Sequence, residues 1–246
     1  MTLSADIQKI PRTYMPVGFE LTNWESLEPF FKELVDRPLG SLQDLEQWLK
    51  DMSEVEAVIS EDACWRQIKM TCDTTNPALE EAFNYFCLEI QPKMQPFADQ
   101  LNKKFIDCPY TASLDKDTYY TYIRSVKKNI ELFREANIPL QAELSVMQQQ
   151  YGTIAGKMTV EVEGKEYTLQ QAAKFLEHED RAVRESVYKK IQDRRLVDKD
   201  AMHDLYSSLI QKRHQVAVNA GFANYRDYKF VELGRFDYTK EDCFQF

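Results

Sequence analysis

The three histidines, His178, His203 and His214, are the side chains best suited to bind zinc or to act as bases. No H-E-x-x-H motif occurs, so the helix that presents two zinc-binding imidazoles is not found in this sequence. His203 and His214 fall on one face of a predicted helix, but the rise of 1.5 Å per residue separates them by roughly 16 Å. Zinc–nitrogen bonds of about 2 Å cannot bridge that gap. His178 is interpreted as an exposed linker residue, and the sequence predicts no catalytic or metal-binding residue.

Motifs for nucleophilic catalysis and phosphate binding are not found either. The sequence has no G-x-S-x-G elbow and no glycine-rich phosphate loop, and its seven glycines are scattered. Paired carboxylates are abundant, and each pair is interpreted as part of a solvated helix surface. Cysteine–histidine catalysis stays open, although none of the five cysteines has a family signature around it.

The cysteines indicate a reducing compartment. They are odd in number and no pair has C-x-x-C spacing; the five are Cys64, Cys72, Cys87, Cys108 and Cys243. On a shared helix, Cys64 and Cys72 would lie roughly 12 Å apart, which is too far for a disulfide. Reduced thiols favour a cytoplasmic protein. The first residues show no secretory signal, and no run of apolar residues is long enough to span a membrane.

The charge distribution argues against nucleic-acid binding. Residues 1–120 carry 11 basic and 21 acidic side chains, whereas residues 121–246 carry 20 basic and 19 acidic ones. A net charge of −10 in the first half repels phosphate backbones. We therefore expect neither a nucleic-acid partner nor a membrane partner, and an acidic, solvated surface instead.

Hydrophobic periodicity and capping residues predict a mainly helical, all-α protein. Residues 1–23 are predicted to be irregular, and Asn23 caps a first helix that carries Leu27, Phe31 and Leu34 on one face. Later helices are predicted over 42–59, 61–73, 115–135 and 199–220, and from caps at positions 76, 168, 180, 224 and 239. Another helix is predicted to begin at Pro139 and to end near residue 152. Pro92 and Pro96 are expected to bend or interrupt the long segment 78–105.

One short β-hairpin is predicted near residues 153–168. The segment 158–162 alternates apolar and polar residues, and Glu163-Gly164 is a two-residue turn candidate. The hairpin also suggests a domain boundary, with a helical domain over 1–152 and the hairpin plus further helices over 153–246. A well-capped helix begins near Thr239, with Phe244 and Phe246 on it, which predicts that a longer protein continues beyond residue 246.

Two aromatic clusters have alternative interpretations. Tyr119, Tyr120 and Tyr122 form one cluster, and a second one contains Phe83, Tyr85 and Phe86. Helix–helix packing with tyrosine hydroxyls at the surface accounts for them. A peptide-binding wall, in which tyrosines contact an extended substrate, is the alternative.

Several stretches in shared order resemble the oligoendopeptidase F-type zinc metallopeptidases, relatives of thimet oligopeptidase and neurolysin. YGTIAGKMTV, GKEYTLQQ and DRAVRE resemble the hairpin-plus-helix region of that family, and RHQVAVNAGF with NYRDY is similar to the segment before its catalytic region. The stretches cover 151–160, 164–171, 180–185, 213–222 and 224–228, with weaker likeness at 24–34, 89–96 and 102–104.

The resemblance implies a mostly helical fold with two lobes flanking a deep channel, of which this chain is the N-terminal lobe. In that family two histidines of H-E-x-x-H and a downstream glutamate hold zinc, and the motif glutamate polarises a zinc-bound water that attacks the peptide bond. None of those ligands maps onto this sequence. The resemblance therefore implies the channel-wall portion of a hydrolase that cleaves short peptides, inactive without its C-terminal catalytic lobe, and with zinc only in the full-length protein.

Two functional hypotheses follow. In the first, the chain is part of a metallopeptidase, and the hairpin at 158–168 and the helix at 115–135 are candidate substrate-side surfaces. In the second, the chain is a stand-alone helical protein-interaction module with an acidic face. The presence or absence of H-E-x-x-H downstream in the native reading frame separates them.

Overall fold

The computed structural model describes residues 11–246, and the described chain is helical apart from one hairpin. The expectation of an irregular segment over 1–23 can be compared only from residue 11, because residues 1–10 lie outside the described part. The α-helices are α1 (Trp24–Asp36), α2 (Leu42–Cys72), α3 (Pro77–Tyr85), α4 (Gln91–Asp107), α5 (Lys116–Leu132), α6 (Ile138–Gly156), α7 (Leu169–Ala173), α8 (Arg181–Val197), α9 (Lys199–Asn219), α10 (Tyr225–Glu232) and α11 (Lys240–Gln245). The strands are β1 (Thr159–Val162) and β2 (Lys165–Thr168).

The all-α prediction with one hairpin is confirmed, and most predicted helix starts are correct. Asn23 Oδ1 accepts the backbone N–H of Ser26 at 2.9 Å, and Asp180 Oδ1 accepts that of Ala182 at 2.8 Å. Thr168 and Gln171 form the predicted capping box at the start of α7. Within the described residues, no helix is both long enough and apolar enough to cross a bilayer.

Three predicted boundaries are wrong. Helices 42–59 and 61–73 are one helix, α2, because neither glycine nor proline occurs along it to break the backbone hydrogen bonds. α6 continues to Gly156 rather than ending near residue 152, so residues 153–156 are helical and β1 begins only at Thr159.

The prolines of the segment 78–105 do not end it. A π-helical turn, Phe86–Ile90, joins α3 to α4 directly before Pro92. The Gln91 N–H donates to the Phe86 carbonyl, five residues back, which shifts the hydrogen-bond register by one residue. Pro96 lies inside α4, which continues to Asp107. The segment is therefore interrupted by a local change of helix type instead of a loop.

The described residues divide into two compact units. Unit 1 contains the residues up to Arg66 together with Lys93–Ile130, and unit 2 contains Gln67–Pro92 together with Glu131–Phe246. Each unit is thus built from two separate stretches of chain. The domain boundary after residue 152 that the sequence suggests stays a prediction.

Unit 1 has an aromatic core between its helices. The Trp24 ring lies 5.4 Å from that of Phe97, and Phe31 lies 5.7 Å from Phe97, so α1 packs on α4. Trp48 of α2 is fully buried, and its indole N–H donates to the Leu34 carbonyl at 2.8 Å. The amphipathic stripes that the sequence shows therefore meet in this core.

Unit 2 has two apolar clusters. One surrounds α9, with Leu205, Leu209, Val216 and Ala217 buried against residues of α6 and α10. The other joins the hairpin to α8 through five buried residues: Val160, Val162, Ala172, Val187 and Ile191. The strands pair antiparallel, with Val162 opposite Lys165, so the inward residues of β1 lie on α8 and the outward ones face solvent.

Candidate functional site

The three histidines lie in unit 2, exposed and separate. His178 follows the short 3₁₀ turn Lys174–Glu177, and its Nδ1 accepts the backbone N–H of Asp180 at 3.1 Å. This bond helps to organise the entry into α8. His203 and His214 both lie on α9, as the sequence predicts, at exposed positions. His203 and His214 are separated by roughly 16 Å along α9, and His178 precedes α8.

The described residues do not fit a zinc centre. Within residues 11–246, no three side chains of the His, Cys, Asp or Glu type lie close enough to share a metal ion. A hydrolytic zinc needs three such ligands and an open position for water. No step of peptide-bond hydrolysis is therefore assigned to these residues.

The five cysteines are all in the described part, and none forms a disulfide. Cys64, Cys72 and Cys243 are exposed, whereas Cys87 lies buried in the π-helical turn. Burial raises the pKa of the Cys87 thiol to about 11, because the thiolate would lose its hydration there. Cys87 is therefore a neutral thiol at physiological pH and unsuited to act as a nucleophile.

The predicted substrate-side hairpin carries an aromatic and cationic cluster. The Tyr167 ring lies 5.3 Å from that of Phe175, and the ammonium of Lys174 lies 4.9 Å from the Tyr167 ring centre. A cavity of about 480 Å³ lies near the start of β1, with Tyr151, Met158 and Arg195 in its wall. Exposed aromatic and guanidinium groups of this kind can bind extended peptide.

The predicted substrate-side helix 115–135 presents its tyrosines in different directions. α5 begins at Lys116, where Asp115 Oδ1 accepts the Thr118 N–H at 2.8 Å. Tyr122 packs on Phe105 with ring centres 5.4 Å apart, and burial raises its pKa. Tyr120 is 61% exposed. Tyr122 therefore serves helix packing, whereas Tyr120 lies at the surface.

The second aromatic cluster, Phe83, Tyr85 and Phe86, is mostly buried and does not form a peptide-binding wall. Phe86 is buried in the π-helical turn and Phe83 is half-buried, while Tyr85 is only partly exposed. These residues lie in unit 2. With Phe86 buried and Phe83 half-buried, the cluster offers little aromatic surface for a ligand.

An apolar cavity of about 310 Å³, which the sequence does not predict, lies inside unit 1. Phe31, Met52, Val55 and Leu101 line it, and the carboxyl of Glu56 lies at its edge. Much of Glu56 remains exposed, yet the apolar wall removes enough water from the carboxyl to raise its pKa. Glu56 follows a run of acidic positions on α2 and resembles a solvated residue in the sequence.

A second cavity of unit 1 lies along the outer face of α5. We call it the α5 groove; its volume is about 470 Å³, and it is lined by Leu114, Tyr120, Ile123 and three basic residues, namely Lys116, Arg124 and Lys127. The guanidinium of Arg124 lies 5.2 Å from the Tyr120 ring centre. The described residues that line the groove include no Asp or Glu.

A family model matches part of the chain. Residues 15–133 match the family model described as the Peptidase M3 N-terminal domain. The family resemblance inferred from the sequence motifs is thereby confirmed for this portion. Among curated proteins, none matches the chain significantly.

Three solved structures have a fold similar to that of this chain. A protein assigned as an oligoendopeptidase F is similar with a TM-score of 0.84 at 21% identity, over 91% of this chain and 40% of its own. A second one, assigned as an oligoendopeptidase F from Bacillus anthracis str. Ames, gives 0.83 at 17%, over 90% and 41%. PZ peptidase A with inhibitor 2 gives 0.84 at 18%, over 93% and 41%.

These likenesses extend beyond residues 15–133 to the hairpin and the later helices, since they cover nine-tenths of the chain. The chain spans about 40% of the length of each solved structure. At such identities the comparison shows the fold. The predicted likeness to the N-terminal lobe of an oligopeptidase is thus confirmed as architecture.

Proposed function

We propose that this chain is the helical channel-wall portion of a zinc-dependent oligoendopeptidase, a hydrolase that cleaves short peptides. The match of residues 15–133 to the Peptidase M3 N-terminal domain carries the proposal. The fold shared with oligoendopeptidase F-type structures over nine-tenths of the chain supports it. In this proposal zinc and the residues that activate water belong to the catalytic lobe of the full-length protein.

The role of the chain itself would be to restrict which substrates reach the metal. A rigid wall of packed helices favours flexible oligopeptides over folded proteins, because only a thin, extended chain fits a narrow channel. The hairpin surface around Tyr167 and the outer face of α5 around Tyr120 are the proposed substrate-side surfaces. Tyr120 is exposed and Tyr167 is partly exposed, and each ring lies beside a cation.

The proposed setting is the cytoplasm, with no nucleic-acid partner. Five cysteines without a disulfide agree with a reducing compartment. The acidic first half of the chain disfavours binding to phosphate backbones. Oligopeptides and the catalytic lobe are the proposed partners.

The decisive experiment determines the sequence of the native gene beyond codon 246 and assays the full-length protein that it encodes. We expect a downstream H-E-x-x-H, one zinc ion per chain, and cleavage of short quenched-fluorescence peptides but not of a folded protein. In parallel, the 246-residue chain should contain no zinc by mass spectrometry and should cleave no peptide. Stoichiometric zinc with turnover in the 246-residue chain would contradict the proposal. A gene that stops after codon 246 would favour the stand-alone interaction module.

A further inference from the structure

The apolar cavity of about 310 Å³ in unit 1, which we call the Glu56 cavity, has a buried floor and an open mouth. Its floor consists of six buried side chains from α1, α2 and α4, namely Phe31, Leu34, Met52, Val55, Ile59 and Leu101. Glu56, Ser60 and Ala98 are exposed, so the cavity is open to solvent along its α2 and α4 walls. An apolar cavity of about 150 Å³ already holds a benzene-sized group, so this one has room for a leucine or phenylalanine side chain.

Three polar side chains of the cavity lining have no partner of their own. Glu56 lies on α2, the half-buried Asn102 on α4 and the exposed Asn129 on α5. Within residues 11–246, none of these three side chains makes a hydrogen bond or an ion pair. One carboxylate and two carboxamides are therefore available to a ligand that enters the cavity.

The carboxyl of Glu56 has no cation beside it, unlike that of Asp51, which pairs with Arg37 at 2.5 Å. The neighbouring phenol of Tyr122, whose pKa is raised by burial and further by the charge of Glu56, is neutral and supplies no counter-charge. The apolar wall removes water from the Glu56 carboxyl and raises its pKa. A cation bound at the mouth would therefore stabilise the charged form of this carboxyl.

The arrangement suits a ligand that combines an ammonium group, an apolar side chain and a peptide group. The first residue of a peptide has these three parts on a single carbon atom. An ammonium donates charge-assisted hydrogen bonds to a carboxylate, and a carboxamide can both donate to a peptide carbonyl and accept from a peptide N–H. The apolar floor removes the side chain of the ligand from water.

We propose that the Glu56 cavity binds the N-terminal residue of an oligopeptide, with the α-ammonium at Glu56 and an apolar side chain on the floor at Val55 and Leu101. The first peptide group lies at Asn102 and Asn129. This inference rests on the proposed function, since it assumes that the protein handles peptides. Charge complementarity between the unpaired carboxylate and an ammonium, directly above an apolar floor, selects this occupant.

The test is a calorimetric titration of the 246-residue chain with leucyl-glycyl-glycine amide and two matched analogues. The first analogue, 4-methylpentanoyl-glycyl-glycine amide, has the same side chain but a hydrogen in place of the ammonium. The second, triglycine amide, keeps the ammonium and lacks the side chain. We expect the leucyl peptide to bind at least about tenfold more tightly than either analogue, because each analogue lacks one of the two contacts. Equal affinity for either analogue, or no saturable binding of the leucyl peptide, would overturn the proposal.

Two variants separate the carboxylate from the apolar floor. Glu56→Gln should lose the preference for the ammonium and keep the preference for the leucine side chain, because only a charge is removed. Ala98→Leu, at an exposed position of the lining, should fill part of the cavity and reduce the preference for leucine over glycine. The matched control Glu20→Gln, an exposed acidic residue in the same unit, should keep both preferences. An unchanged ammonium preference in Glu56→Gln would overturn the assignment of this site.

3-Methylbutylamine serves as a further probe, since it has the ammonium and the branched apolar chain of leucine but no peptide group. Binding of this amine as tight as that of the leucyl peptide would exclude a peptide terminus as the selected ligand, and weaker binding would support it. The titration needs neither zinc nor turnover. Failure here with an active full-length enzyme would therefore overturn only the cavity assignment, whereas ammonium-selective binding with an inactive full-length product would overturn only the peptidase proposal.

Discussion

The ammonium nitrogen of Lys104 lies 2.8 Å from the carbonyl oxygen of Leu34, seventy residues earlier in the chain. The same nitrogen lies 2.7 Å from the carbonyl oxygen of Val35 and 2.5 Å from that of Arg37. These carbonyls belong to the C-terminal turn of α1, whose last residues contain no basic side chain of their own. A lysine of α4 thus caps α1 and binds its negative end. Burial lowers the pKa of the Lys104 ammonium, and the charge of Arg37 acts in the same direction.

Replacement of Lys104 by methionine should destabilise the protein. The stem of the side chain is preserved, but three carbonyl groups lose a charged donor, so we expect the free energy of unfolding to fall by about 2 kcal/mol. Urea denaturation followed by circular dichroism measures the change. Lys50→Met, at an exposed position of α2, is the control and should change stability by less than about 0.5 kcal/mol. Equal stabilities of the two variants would show that the cap contributes little.

Asn137 should be the polar residue of unit 2 least tolerant of substitution. It is only 2% exposed, its Nδ2 donates to the Val216 carbonyl at 3.0 Å, and its Oδ1 accepts from Asn219 at 2.8 Å. Asn137→Ala leaves both partners unsatisfied in a buried site and should cost about 2 kcal/mol of unfolding free energy. Asn137→Asp should cost more, because a carboxylate oxygen would face the Val216 carbonyl. Gln150→Ala on the exposed face of α6 should be nearly neutral in the same denaturation assay.

Glu54 should make the stability of unit 1 sensitive to acid. Burial by itself would raise the pKa of this carboxyl, but the backbone N–H groups of Met15, Thr13 and Tyr14 and the Thr13 hydroxyl donate to it and lower the pKa to about 2. The folded pKa lies below the ordinary value of 4.5, so this contribution is complete above pH 4.5 and is lost as the pH falls toward 2.

Glu54→Gln should therefore be less stable than the parent chain at neutral pH, and the gap should narrow as the pH falls below 4.5. Urea midpoints measured at about pH 7 and about pH 3 provide the comparison. Glu20→Gln, at an exposed position in the same unit, should show no such convergence. A gap of constant size at both pH values would mean that the charge of Glu54 does not contribute.

Two substitutions in the hairpin turn should change the free energy of unfolding in opposite directions. Glu163 and Gly164 have φ angles of 55° and 75°, the pattern of a type I′ turn. Gly164→Ala should lower the free energy of unfolding by about 1 kcal/mol through backbone strain alone, since nothing lies within 4 Å of an added Cβ. Glu163→Asn should raise it by about 0.5 kcal/mol, because asparagine tolerates the left-handed region. Thermal denaturation distinguishes the two, and Gly40→Ala, with an ordinary φ, is the control.

The sequence predicts the helix starts well because capping is local. Asn23, Thr168 and Asp180 each accept a backbone N–H two or three residues ahead, so a short pattern contains the whole interaction. The lysine cap at the end of α1 could not be predicted in the same way, because it comes from Lys104, seventy residues after the Leu34 carbonyl that it binds. The π-helical turn before Pro92 was missed for a related reason, since proline indicates an interruption but does not say how the backbone accommodates it.

In the candidate sites, too, the residue types are visible in the sequence, whereas their surroundings depend on contacts between distant residues. The tyrosines of α5 are visible in the sequence, but only packing separates Tyr122, which lies on Phe105, from Tyr120, which faces outward. Lys116 and Lys127 resemble ordinary surface lysines until the structure shows which positions around them carry no carboxylate. The position of Glu56 beside an apolar cavity depends equally on neighbours from three other helices.

The order in which unit 1 is assembled along the chain has a consequence for its synthesis. Trp24 and Phe31 are covered by Phe97, and the α1 carbonyls are bound by Lys104, so the first stretch of the unit reaches its native environment only after the second has left the ribosome. Between these events the whole of Gln67–Pro92 must be translated. At about 5–20 residues per second, nascent α1 and α2 expose their apolar faces for seconds. We therefore expect a chaperone that binds during this interval to protect these faces from aggregation.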